Sequence, residues 1–173
     1  KARHRCRVMV ADLSERRLGL AHRLGADQVV GVRGRDTADA IIELVGEEPP
    51  AFLGFGQRAG RVDIAMDCAG SPTSTQQALR MVKRTGGKVV LVALLEKEPV
   101  LDLNYVTRKG VKLIGSWAWT AEEFSEAVDL VASGAIDRKP LISHRFPLEE
   151  IRDAFEMQIL PEGSIKVMVL PGA

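Results

Sequence analysis

Short apolar runs alternate along this chain with stretches whose apolar residues fall at helical spacing, and that alternation restricts the folds open to it. "VMVAD" (8–12), "QVVGV" (28–32), "VDIAMD" (62–67), "KVVLVAL" (88–94), "VKLIGSW" (111–117) and "IKVMVL" (165–170) read as strands. Between them, Leu18, Ala21 and Leu24 share one helical face that Gly25 stops, and Ala38, Ile41, Ile42 and Val45 share another that Gly46 stops. Ser71-Pro72 is expected to open a third helix, with the serine as cap and the proline in the first turn. Thr120 and Glu123 form a capping box ahead of Phe124, Ala127, Val128 and Val131, with Gly134 beyond; "PLEEIRDAFEMQ" (147–158) is a shorter helix. Strands separated by helices make βαβ units, hence an α/β fold with a mostly parallel, doubly wound sheet and right-handed crossovers. "KVVLVAL" is apolar enough for a strand covered on both faces.

Composition narrows the function classes. With 24 Lys+Arg against 23 Asp+Glu, the charge of +1 gives no electrostatic footprint for nucleic acid or an anionic membrane. No apolar run approaches the roughly 18 residues of a membrane span, and the basic start KARHRCR lacks an apolar signal core, so a cytoplasmic setting is expected. Cys6 and Cys68 make neither a disulfide framework nor a CxxC zinc site. H-E-x-x-H, G-x-S-x-G and Cys/His clusters are absent from the sequence. His4 and His22 lie among arginines, His22 on the solvent side of its helix, and His144 in "LISHRF" suits a structural hydrogen bond at a strand end. Glu149 and Glu150 suit the start of a helix. No catalytic or metal-binding constellation emerges.

Asp12 stands out instead. A carboxylate at the end of a strand can accept both hydroxyl hydrogens of an adenosine ribose and repel a 2′-phosphate, which selects NAD over NADP. Such an acid normally follows the first glycine of a phosphate loop by about 20 residues, whereas only eleven residues, none of them glycine, precede Asp12. The competing reading is an aspartate that caps the Ser14 or Glu15 amide. Gly54-Phe55-Gly56-Gln57-Arg58-Ala59 literally fits G-x-G-x-x-G/A, but Pro49-Pro50 crowds the strand before it and "VDIAMD" follows with no room for a helix. A surface loop is expected there.

Taken in order, "VMVADLSERRLGLAHRLGADQVV", "VDIAMDCAG", "ALRMVKRTGGKVVLVAL", "GVKLIGS" and "AVDLVASGAIDRKPLISHRFPLEEIRDAFE…GSIKVMVLP" resemble the medium-chain, zinc-dependent alcohol dehydrogenases, particularly their polyol, secondary-alcohol and threonine branches. The resemblance implies the C-terminal half of such an enzyme. Residues 1–118 would be a partial NAD-binding Rossmann domain, lacking its first strand and glycine loop, and 119–173 a segment returning to the catalytic domain. It implies NAD as cofactor, a small-molecule alcohol as substrate, a homodimer or tetramer, and zinc held only by a part absent from this sequence, so the chain alone is expected to be inactive. The implied cofactor-binding positions are Asp12 for the ribose and Arg17 for the ribose and adenine. Cys68, Ala69 and Gly70 would border the cofactor cleft. Val92, Ala93 and Leu94, with Gly115, Ser116 and Trp117, would line the nicotinamide, and Lys166 would meet the pyrophosphate. Ala93 replaces a usual glycine and is expected to crowd the cofactor; the loop at 46–60 replaces a shorter one. Two other readings remain. A zinc-free quinone oxidoreductase is disfavoured by Asp12. A non-catalytic nucleotide-binding or dimerisation module is disfavoured by the apolar stripes of Phe124, Val128, Leu148, Ile151 and Phe155.

Overall fold

A computed structural model describes residues 4–51, 56–95, 97–160 and 162–172. The described residues fall into two compact units, one within 4–33 and 119–172 and the other within 34–118.

In the first unit, β1 (Met9–Asp12) pairs in parallel with β2 (Gln28–Gly31), Met9 opposite Gln28 and Asp12 opposite Gly31. Helix α1 (Glu15–Arg23) makes the crossover. Ser14 caps it, its hydroxyl accepting the Arg17 amide at 3.3 Å. Leu18 and Leu20 are the buried residues of α1, whereas Ala21 is half-buried and Leu24 exposed. The expected Leu18-Ala21-Leu24 face is therefore corrected: the burying face turns toward Leu20, and Leu24 sits past the last turn as the C-cap. Gly25 follows at φ +96°, the left-handed geometry a glycine stop supplies.

The same unit holds a second parallel pair, β6 (Ile142–Pro147) with β7 (Lys166–Leu170). Between them runs α6 (Ile151–Ile159), preceded by a 3₁₀ turn at Leu148–Glu150. A register shift lies between Ile142 and His144, where Ser143 Oγ accepts the Ile165 amide at 2.9 Å. His144 Nδ1 lies 3.0 Å from that hydroxyl and its ring stacks near Phe146, a structural role. Helix α5 (Ala121–Ala132) carries the complete Thr120–Glu123 capping box. Phe124 and Val128 on α5, and Leu148, Ile151 and Phe155 around α6, are all exposed.

In the second unit, β3 (Ile64–Asp67), β4 (Lys88–Leu91) and β5 (Lys112–Gly115) form one parallel sheet in the order β3-β4-β5. Helices α2 (Thr37–Val45), α3 (Ser74–Met81) and α4 (Asn104–Lys109) belong to it. Ala65, Ala78, Leu79, Val82, Val89 and Val111 are its buried core. Burial on β3 alternates, Ala65 and Asp67 inside and Ile64 and Met66 outside, so within this unit the sheet is covered on one face only. The two-faced cover expected for "KVVLVAL" does not hold among the described residues of this unit: Val89 is fully buried while Val92 and Leu94 are exposed. The strand pairs of both units are parallel.

Helix α3 starts at Ser74, later than the expected opening at Ser71-Pro72. Ser71 still serves as an acceptor, its Oγ taking the Ser74 amide at 3.1 Å, but as a turn before the helix. Helix α4 has only six residues, too few to show a period in sequence. Asp102 Oδ1 accepts the Asn104 amide at its start, and Gly110 at φ +62° closes it.

Arginines account for the loop at 46–60, apart from residues 52–55, which lie outside the described set and include Gly54 and Phe55. Glu47 bridges Gly60 antiparallel, closing the loop at its base. Arg84 donates to Glu48, Pro49 O and Gln57 O, and Arg58 pairs with Glu47 and Asp39. No helix follows Gly56 before β3, so the glycine pattern lacks the amide array that binds phosphate. Arg80 ties α3 to α2 through Asp36 (2.8 Å) and Asp39 (2.7 Å).

Lys109 is 1% exposed, and its ammonium donates to Leu79 O at 2.6 Å and Arg80 O at 3.2 Å, satisfying carbonyls at the end of α3. Burial, then the nearby Arg84 charge, brings its pKa down to about 8 against an opposing pull from Glu48. Lys109→Met should destabilise the protein by about 1–3 kcal/mol, because it orphans buried carbonyls. The folded protein releases this proton before the unfolded chain does, so Lys109's contribution rises with pH from about 8 toward the ordinary lysine value. Urea titrations of both proteins across that range should show the wild type gaining on the variant; a constant or shrinking gap would contradict the assignment.

Candidate functional site

The register of the second unit aligns the carboxyl ends of three strands, Asp67 opposite Leu91 and Leu91 opposite Gly115. The next residues continue the ladder: Val92 and Ala93 amides donate to Asp67 O (2.9 and 3.1 Å), and the Ser116 amide to Leu91 O (2.9 Å). Segments 68–70, 92–94 and 115–117 therefore leave the sheet along one edge, where ligands bind in open parallel sheets. Leu94 and Trp117 are 79% and 82% exposed there.

The buried carboxylate of Asp67, missed in the sequence, shapes this edge. Its Oδ1 accepts the Ala69 and Gly70 amides at 3.1 and 3.3 Å, and its Oδ2 accepts the hydroxyls of Ser74 and Thr75, both at 2.8 Å. One side chain thereby holds the turn after β3 and the start of α3. The signal was legible in principle: an acid ends an otherwise apolar strand, with a hydroxyl pair seven and eight residues on. Gly70 has φ +65°, and a Cβ there would lie 2.4 Å from Leu94 O and 3.1 Å from the Ala93 methyl. The 68–70 turn and the end of β4 thus meet so closely that only glycine fits, and the Ala93 methyl packs toward this turn. Desolvation, then the Asp67 charge, raises the Cys68 pKa.

In the first unit, Asp12 ends β1 half-buried, and its Oδ1 accepts the Ser14 amide at 2.9 Å. The capping role weighed against the ribose role is thus present, and it uses one carboxylate oxygen. Arg17 is exposed on the first turn of α1, and Lys166 is exposed at the start of β7. Sequence reasoning also missed Glu162. Its Oε2 accepts the Ser14 hydroxyl at 2.6 Å, its Oε1 pairs with Arg33 at 2.6 Å, and Arg33 also donates to Leu13 O at 3.1 Å. A separation of 148 residues from Ser14 leaves no local pattern to find it by.

Parallel βαβ units with a candidate edge at the carboxyl ends of their strands define a nucleotide-binding class of α/β fold. The chain belongs to the zinc-binding dehydrogenase family, which it matches over residues 1–133. It is 33% identical over 94% of its length to a sorbitol dehydrogenase of Arabidopsis thaliana, covering 42% of that protein. Among solved structures, the L-idonate 5-dehydrogenase of Escherichia coli superposes with a TM-score of 0.77 at 25% identity, over 95% of this chain and 43% of that one. A Sinorhizobium meliloti chain assigned to the zinc-binding dehydrogenases and bound to NADP gives 0.74 at 27% identity, over 95% and 45%. The chain thus spans less than half the length of these relatives.

Among the described residues no three His, Cys, Asp or Glu side chains gather to hold a metal ion. No described helix is long and apolar enough to cross a membrane.

Replacing Asp67 with alanine should strip four hydrogen-bond donors of their acceptor. A loss of about 3 kcal/mol or more is expected from such buried, charge-assisted bonds. Urea denaturation reads it; a loss below about 1 kcal/mol would show that the edge does not depend on this carboxylate.

Proposed function

We propose that this chain is the cofactor-binding portion of an NAD-dependent alcohol or polyol dehydrogenase. The observation that carries the reading is the shared edge at the ends of β3, β4 and β5, held by Asp67 and closed by Gly70. Residues 1–118 would serve as the dinucleotide-binding domain, with 119–173 as the return to a catalytic domain.

The residues fit a nicotinamide dinucleotide as far as donors and acceptors go. Asp12 keeps Oδ2 for a ribose hydroxyl, since Oδ1 takes the Ser14 amide. Arg17 is exposed on the first turn of α1 to flank the adenosine, and Lys166 offers an ammonium for a phosphate. In the second unit, Cys68, Ala69 and Gly70 would border the cofactor. Val92, Ala93 and Leu94 with Gly115, Ser116 and Trp117 would line the nicotinamide and exclude water from one ring face. When bound, the nicotinamide accepts the hydride that an alcohol carbon gives up. This chain's part is to bind and orient it; no step is assigned to zinc, since no three His, Cys, Asp or Glu side chains gather among the described residues to hold it.

The substrate would be a small alcohol. The exposed edge strand β5 and the bare faces of α5 and α6 suit a homo-oligomer or a catalytic domain as cover. A quinone oxidoreductase reading gains nothing from Asp12, and a cytoplasmic setting is proposed from a cysteine count too low for a disulfide framework.

The test is calorimetric titration of NAD⁺ into the complete gene product and its Asp12→Asn variant. A tenfold or greater loss of affinity is expected, on the scale of a hydrogen bond to a charged group. Equal affinities would overturn the ribose assignment.

A further inference from the structure

We infer that Glu162 is a specificity-determining residue: it withholds the Arg33 guanidinium from a 2′-phosphate and so reinforces the choice of NAD over NADP. The inference rests on the reading that an adenosine ribose meets Asp12.

The geometry lies wholly within the first unit. Arg33 follows β2, and the Val32 amide donates to Asp12 O at 3.2 Å, so the cation leaves the chain beside the end of β1. Its Nη2 reaches Leu13 O, one residue past the ribose carboxylate. A guanidinium so placed matches a phosphate, which it can hold through paired charged hydrogen bonds. Here that Nη2 is engaged by Glu162 Oε1 at 2.6 Å. The other carboxylate oxygen grips the Ser14 hydroxyl, and Ser14 in turn donates its amide to Asp12. Glu162 thus brings a second negative charge to the Ser14 that Asp12 holds, and it pairs with Arg33, a cation that could otherwise offset it.

The pair is not there chiefly for stability. Its side chains are 72% and 50% exposed, and solvent screening leaves such pairs little net folding energy. The segment around Glu162 is anchored separately, because Arg16 Nη1 donates to Gly163 O at 2.5 Å. Glu162→Gln should therefore keep the fold and the Ser14 contact while removing the charge that neutralises Arg33.

The experiment measures NAD⁺ and NADP⁺ dissociation constants for the complete gene product and for its E162Q, R33M, E162Q/R33M and D12N forms, at low and at physiological salt. E162Q should lower the ratio of the NADP⁺ to the NAD⁺ constant by about threefold to tenfold, an effect of the size expected for one freed charge, and more at low salt. R33M should cancel that gain in the double variant while changing little alone; a purely structural role for Glu162 would not produce this coupling. An unchanged ratio in E162Q, or a gain that survives R33M, overturns the inference even when D12N weakens NAD⁺ binding. If D12N leaves NAD⁺ affinity intact, the ribose reading fails, and this inference fails with it.

Discussion

The Asp67 carboxylate is the interaction on which the arrangement of the candidate edge depends. Buried at the end of β3, it is stable there because four donors converge on it: two amides from the following turn and two hydroxyls from α3. Those bonds fix where the chain turns at Cys68 to Gly70, and the left-handed Gly70 then lets that turn lie against Leu94 O. The carbonyl of the same residue takes the Val92 and Ala93 amides. One residue therefore couples the exits of two neighbouring strands, and the β4–β5 register carries the alignment on to Gly115.

A comparable economy operates at the end of β1. Ser14 caps α1 with its hydroxyl oxygen, donates the hydroxyl proton to Glu162 and gives its amide to Asp12. Arg33 closes the circuit from β2 to Leu13 and Glu162. Local capping and long-range pairing thus meet on the residues proposed to hold an adenosine. The Ser14 amide takes only Oδ1 of Asp12, so the capping role leaves Oδ2 for the proposed ribose contact.

Much of this was legible in the residues because the signals were local. Apolar runs marked the strands, Gly25, Gly46 and Gly134 marked helix ends, and Thr120 with Glu123 marked a capping box that is fully formed. What escaped was nonlocal or short. Helix α4 spans too few residues for periodicity, and Leu20 was missed because the buried face of α1 is set by what it packs on. Glu162 and Arg33 are far apart in the chain. The loop at 46–60 is held by ion pairs and hydrogen bonds that its sequence does not show: its own Arg58 on Glu47 and Asp39, and Arg84 from beyond α3 on Glu48 and two loop carbonyls. Membership of the zinc-binding dehydrogenases agrees with the resemblance carried by the strand and turn motifs, over a chain that spans less than half of its relatives.

We propose that the carboxyl ends of β3, β4 and β5 receive a nicotinamide dinucleotide. Amide hydrogen exchange of the complete gene product, with and without saturating NAD⁺, tests it most directly. The account predicts new protection in residues 12–18, 68–70, 92–94 and 115–117 together, and none in the loop at 56–60. Protection confined to the 56–60 loop, or absent from all four segments while NAD⁺ is bound, would contradict it.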